Sequence, residues 1–351
     1  MKNIFIEIIW TIFLPLLVTH IFINLFLNKK IALNFSDVPN HRKKHRKNIP
    51  AFGGIAIFFS IVLSILIIDV SIPYNDILGI FLGAVMILLI GIYDDLYKMN
   101  VFCKLVGQIV ASILTIVFIQ GLHNIELFPF LMQGFGIENM IINIIFMLVV
   151  INSVNFLDGL DGLLVSFSLL VLLFFYVCFY KFGVSLYDLN LILIISGSLI
   201  GFLIFNKHPA KIFLGDSGSM LIGWMFATLS LYFVKIDFIE NSIVLPLIIL
   251  SIPIIDMFFV VFYRLFNSRG NIYHRMLNIF KSDRNHLHHL LLEKNNSQNL
   301  TLLIICLSGI VIILFTLLFL NYKINISIVS FSLIIYLTLA AVRLFLNKKL
   351  K

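Results

Sequence analysis

Apolar residues in this chain come in long blocks, separated by short polar connections. Half-buried strands would alternate every second residue, and amphipathic helices would repeat every three to four. Neither period dominates here. Each block is uniformly apolar and about 17–25 residues long, the length a helix needs to cross the hydrocarbon core of a bilayer. Eleven blocks are predicted to span: 4–27, 51–70, 77–93, 105–122, 140–157, 163–182, 189–205, 214–234, 242–262, 300–321 and 324–346. Their continuity excludes the short alternating strands of a membrane barrel. The first block is longer than a signal-peptide core and lacks a small-residue cleavage site, so it reads as a retained helix.

Composition agrees with lipid as the main solvent. Hydrophobic residues make up 61% and charged residues 12% of the 351 residues, about half the charged share of a soluble domain. Charge then sets the orientation. With the eleven spans placed, 21 of the 25 Lys and Arg fall on one side: in connections 28–50, 94–104, 158–162, 206–213 and 264–299, and in the C-terminal tail. The positive-inside rule makes that side cytoplasmic, with the N-terminus outside and the C-terminus inside. The same rule accounts for the net charge of +8 without a nucleic-acid partner. The prediction is therefore an all-α polytopic membrane protein, one domain over 1–351. Cys103, Cys178 and Cys306 have no ligand spacing and imply no disulfide framework.

Acids and amides gather on the cytoplasmic side. Asp94 and Asp95 close the third span. Adjacent carboxylates repel unless a cation or a shared proton intervenes, so the pair suggests Mg²⁺-associated or general-base work on a phosphate; a solvated helix end is the plain alternative. Asn152, Asn155, Asp158 and Asp161 recur every three residues. On a helix the first three lie within about 120° of one face, a strip of hard oxygens that favours Mg²⁺ or Ca²⁺ over zinc. Asn206 and Phe213 precede Gly215-Asp216-Ser217-Gly218-Ser219, where a helix N-terminus could present backbone N–H groups to phosphate or simply be capped. The loop 283–289 carries Arg284, His286, His288 and His289, suited to phosphate contacts and short of acid ligands for zinc. The basic loop 37–45 holds Arg42 and His45, beside the simpler reading of positive-inside charge. Asp256 lies inside the ninth span, where a lone acid tends to be functional or paired.

These blocks, taken in order from Asp37 to His289, resemble the polyprenyl-phosphate N-acetylhexosamine-1-phosphate transferases. The ending Asp-Arg-Asn-His-Leu-His-His is similar to the WecA and TagO branch more than to MraY enzymes; the stretch 268–281 departs from the pattern. The resemblance implies Asp216 as the main Mg²⁺ ligand, with Mn²⁺ as a substitute and Asn155 near the metal. It implies catalytic parts for Asp94, Asp95, Asp158, Asp161, Lys104 and His288. Asn152, Asn206, Phe213, Arg284, His286, His289, Arg42 and His45 would bind substrate. The implied partners are undecaprenyl phosphate, a UDP-N-acetylhexosamine and the bilayer of a bacterial inner membrane; a homodimer is compatible. A transporter is the rival class, and it predicts midplane charges and inverted repeats that the sequence lacks.

Overall fold

The computed structural model describes residues 2–27, 36–37, 49–119, 121–122, 136–184, 186–235, 244–267 and 285–322. Apart from a two-residue pairing of β1 (Ser36–Asp37) with β2 (Ile49–Pro50), its regular elements are helices. They are α1 (Lys2–Leu27), α2 (Gly53–Ile65), α3 (Tyr74–Tyr97), α4 (Val101–Phe118), α5 (Ile137–Leu157), α6 (Leu163–Lys181) and α7 (Leu186–Asn206). Then come α8 (Gly215–Lys235), α9 (Val244–Ile249), α10 (Ser251–Asn267), α11 (Leu287–Asn295) and α12 (Gln298–Tyr322). Among the described residues seven helices are long and apolar enough to cross a membrane. The chain is thus a polytopic all-α membrane protein. The block 324–346, Arg42, His45, Arg284 and the stretch 268–281 lie outside the described residues.

Two predicted spans take a different form. The block 51–70 is helical only over Gly53–Ile65, about 20 Å at 1.5 Å per residue, too short to span alone. The block 242–262 is broken into α9 and α10 around Leu250. Pro253 explains the break: without an N–H it cannot bond the carbonyl of Ile249, one turn earlier.

The architecture is organised around α8. Every residue from Ser217 to Leu231 is buried, as expected of a helix apolar all round and enclosed by neighbours. It packs on α2, α3 and α5. Small residues let the backbones meet, as in other membrane bundles. A Cβ on Gly91 of α3 would collide with the Ser217 backbone, and one on Gly54 of α2 with Gly218. The strand-like segment before α2 pairs with the approach to α8: Phe213 N–H donates to Pro50 O (2.8 Å), and Gly53 and Gly54 N–H donate to Phe213 O and Leu214 O (both 3.1 Å). The N-terminus of α8 is thereby fixed at one end of the bundle, beside the ends of α3 and α5 and the start of α4.

Candidate active site

The site begins with a tight reversal between α3 and α4. Lys98 ends α3 in the left-handed conformation (φ 56°), and Asn100 caps α4 by accepting from Phe102 N–H at 3.0 Å. The turn puts Lys104, one helical turn into α4, opposite Asp94. Asp94 Oδ1 accepts from Met99 N–H at 2.6 Å, and Asp94 Oδ2 accepts from Lys104 Nζ at 3.1 Å. The same ammonium lies 3.3 Å from Asp216 Oδ1, at the start of α8. Asn155, near the end of α5, donates from Nδ2 to Asp216 Oδ1 (2.8 Å) and to Ser219 Oγ (2.7 Å). Four residues expected to act together, spread over 122 positions, therefore meet around one Lys104 ammonium.

Asp95 does something the sequence does not suggest. Its Oδ1 accepts from Asp216 N–H (2.7 Å) and its Oδ2 from Ser217 N–H (3.1 Å). It caps α8 from another helix, satisfying N–H groups that would otherwise be orphaned. Of the two readings the sequence left open for these N–H groups, phosphate donors or a capped end, the cap is the one found. Asp94 thus faces the cation, while Asp95 holds the helix that carries Asp216.

The strip of asparagines and aspartates also divides. Asn152 exchanges amide hydrogen bonds with Gln108 of α4 (2.8 and 3.4 Å) and donates to Leu148 O (2.8 Å), so it braces α5 to α4. Asn155 alone of the strip reaches α8. Helix α5 ends at Leu157, so Asp158 lies past its end instead of on its face. Burial, then the carboxylates of Asp216, Asp95 and Asp161, push Asp158 up to about 8. Asp161 Oδ2 accepts from Ala210 N–H (3.2 Å) and pairs with His208 Nδ1 (2.7 Å). Asn206 is buried between two backbones: its Oδ1 accepts from Gly162 N–H (3.0 Å) and its Nδ2 donates to Ile212 O (2.8 Å). It shapes the loop leading to Phe213. Gly162 itself requires φ 72°, the left-handed region open to glycine.

A second wall comes from α10 and α11. Asp256 Oδ2 pairs with His286 Nδ1 at 2.8 Å, and its Oδ1 accepts from Leu287 N–H at 2.7 Å. His286 tilts against Phe156 of α5 (centroids 5.1 Å), and His288 stacks parallel to it at 5.9 Å. His288 is buried, and among the described residues neither ring nitrogen has a hydrogen-bond partner. Burial, then neighbouring His289 and His286, hold its pKa well below the usual value, so it is neutral. It fits because Gly159 has no side chain; a Cβ there would strike the His288 ring. Gln108, His208 and the Asp256–His286 pairing were missed in the sequence. Asp256 drew notice as a lone membrane acid, but nothing local links it to a residue 30 positions on.

Among the described residues no three His, Cys, Asp or Glu side chains converge to enclose an ion. Mg²⁺ commonly takes one or two carboxylates and completes its shell with water and substrate phosphate, so Asp216, with Asp94 and Asn155 beside it, could hold one. The donors here are hard oxygens, and Lys104 already marks where positive charge sits between Asp94 and Asp216.

Comparison with known proteins gives the family. The family model for glycosyl transferase family 4 covers residues 77–234, which contain Asp94, Lys104, Asn155 and Asp216. A probable undecaprenyl-phosphate N-acetylglucosaminyl 1-phosphate transferase of Bacillus subtilis is 32% identical over 331 residues, 92% of this chain and 89% of the relative. A decaprenyl-phosphate N-acetylglucosaminephosphotransferase of Mycobacterium tuberculosis is 27% identical over 77% of this chain and 72% of its own. A phospho-N-acetylmuramoyl-pentapeptide-transferase of Thermoanaerobacter is 36% identical, but over 54% of this chain and 62% of its own. With near full-length similarity at that level, and the matched segment carrying the charged cluster, the chain belongs to glycosyl transferase family 4.

Proposed function

We propose that this chain transfers GlcNAc-1-phosphate from UDP-GlcNAc to undecaprenyl phosphate, at the cytoplasmic face of a bacterial inner membrane. An oxygen of the lipid phosphate attacks the β-phosphorus of the donor. The bond from that phosphorus to the bridging oxygen breaks, and UMP leaves. The observation that carries this reading is the Lys104 ammonium shared by Asp94 and Asp216. Two anionic substrates can meet only where their repulsion is cancelled. Bound Mg²⁺, held by Asp216 with Asn155 Oδ1 and Asp94 as further oxygens, would supply Lewis-acid stabilisation of charge on the transferring phosphoryl group.

The chain's own residues divide the remaining work. Lys104 neutralises phosphate charge when its carboxylate partners turn to the ion. Asp94 orients the acceptor phosphate. Asp95 fixes Asp216 through the α8 cap. Asp158, just past the end of α5, supports the donor side of the cleft with Asp161. Phe213 and the loop shaped by Asn206 hold the nucleotide, and His286, His288 and His289 face the diphosphate or sugar. Direct attack by the lipid phosphate is favoured over a covalent aspartyl intermediate.

Eleven crossings with the N-terminus outside complete the topology, the second finished by the residues beside the short α2 and the ninth shared by α9 and α10; the distribution of Lys and Arg supports it. The GlcNAc donor is favoured over MurNAc-pentapeptide by the near full-length likeness to the Bacillus subtilis protein. The test is UMP release by purified protein given undecaprenyl phosphate, Mg²⁺ and a panel of UDP-N-acetylhexosamines. UDP-GlcNAc should be the best donor; a higher kcat/KM with another sugar would reassign the donor, and release with none would reject the reaction.

A further inference from the structure

We propose that Asp256 is a positioning residue that acts through His286, and that the two form a unit required for turnover. The inference rests on the transferase reading for its kinetic consequence, but not for its geometry. Asp256 is 7% exposed and His286 is 7% exposed, so neither bond competes with water. One carboxylate makes two contacts with two different parts of α11. Oδ2 meets the His286 ring at Nδ1, and Oδ1 takes the N–H of Leu287, the first residue of the helix.

The consequences follow from what a carboxylate can do. An ionised carboxylate only accepts, so the ring nitrogen facing it is Nδ1–H, and Nε2 keeps the free lone pair. A carboxylate partner fixes the tautomer and the ring orientation of a histidine. The second bond matters for placement. His286 caps α11, and the backbone N–H groups of His289 and Leu290 both return to its carbonyl. Pinning Leu287 therefore pins the turn that carries His288 and His289. His286 and Phe156 are in ring contact, and His288 fills the space that Gly159 leaves. Both neighbours flank Asp158, so the register of α11 is tied to the end of α5 where Asn155 meets Asp216. A buried acid in α10 with no role other than packing would be costly; this one is satisfied by two donors, both on the histidine segment.

The test has two arms on the full-length protein in detergent. In the first, ¹⁵N spectra of histidine-labelled protein are recorded at about pH 8, above the ordinary histidine pKa, with the His286 signals identified by their loss in His286→Gln. The wild type should show Nδ1 protonated and Nε2 bare. Asp256→Asn should lose that preference, and Asp256→Glu should keep it. A wild-type signal with Nε2 protonated, or an unchanged signal in Asp256→Asn, overturns the pairing. In the second arm, UMP release is measured at matched amounts of folded protein. Asp256→Asn should lower kcat about 100-fold, the scale for a group orienting a functional histidine, with both KM values within about twofold of wild type. Asp256→Glu should recover part of the loss, and Asp256→Asn with His286→Gln should be no slower than His286→Gln alone. Losses that multiply would show two independent residues and overturn the unit. Wild-type protein that releases no UMP would instead fail the transferase reading, while the spectra still decide the pairing.

Discussion

The two walls of the site solve different electrostatic problems. The α3–α4–α8 wall carries Asp94, Asp216 and Lys104, with Asp216 about a quarter exposed and its charges offset by one another. The α10–α11 wall carries Asp256, His286 and His288, all buried and fixed by packing and by the two hydrogen bonds to Asp256. The first is arranged so that charge can be exchanged: an ammonium can release two carboxylates when a cation and phosphates arrive. The second is arranged so that nothing shifts. A site that joins two anions benefits from both, since charge must be neutralised and the phosphorus must be held in line.

The difference can be broken most severely from the charged side. Asp216→Ala should insert and fold, yet lose about a thousandfold or more in kcat, because the reaction depends on oxygen-bound positive charge at that point. UMP release against a thermal-unfolding control checks it. Lys104→Met should cost about a hundredfold in kcat/KM, with half-saturation at lower Mg²⁺, since Asp94 and Asp216 are left facing each other without the competing ammonium; a Mg²⁺ titration reads both.

Asp95→Ala separates holding from reacting. It uncaps α8, so it should lower stability by about 1–2 kcal/mol, the scale of a lost helix cap. Urea unfolding in detergent would register it, along with a smaller activity loss than Asp216→Ala. The other wall has its own mild signature. His288 is held neutral in the fold, while in the unfolded chain it takes up a proton below about 6.5. The unfolded state therefore binds more protons at acid pH, and stability falls as pH drops through that value, by at most about 1.4 kcal/mol per pH unit. Thermal unfolding at pH 7.5 and 5.5 should differ less in His288→Gln than in wild type.

Much of this was legible in the sequence because hydrophobic blocks and local motifs are short-range signals. The blocks gave the helices, and Asp94 and Asp95 stood out locally as adjacent acids at a span's end, while Lys104 entered only through the family resemblance. Asn155 and Asp216, 61 residues apart, were expected together only through the family resemblance. What stayed hidden depends on how helices rotate against one another. Asn152 and Asn155 sit three residues apart on α5, yet one faces α4 and the other α8. Asp94 and Asp95 are adjacent, yet one faces Lys104 and the other caps a helix 121 residues away. Proline at 253 broke a span that hydropathy alone kept whole, because hydropathy does not register a missing N–H.

The central claim is that Asp94, Lys104, Asn155 and Asp216 form one cation-dependent phosphotransfer centre. The most direct measurement is Mg²⁺-dependent UMP release from UDP-GlcNAc and undecaprenyl phosphate, for wild type and Asp216→Ala reconstituted side by side in lipid. Release by the wild type that rises with Mg²⁺ and disappears in the variant is the predicted result. Equal release by both proteins, or release by the wild type in excess chelator, would contradict it.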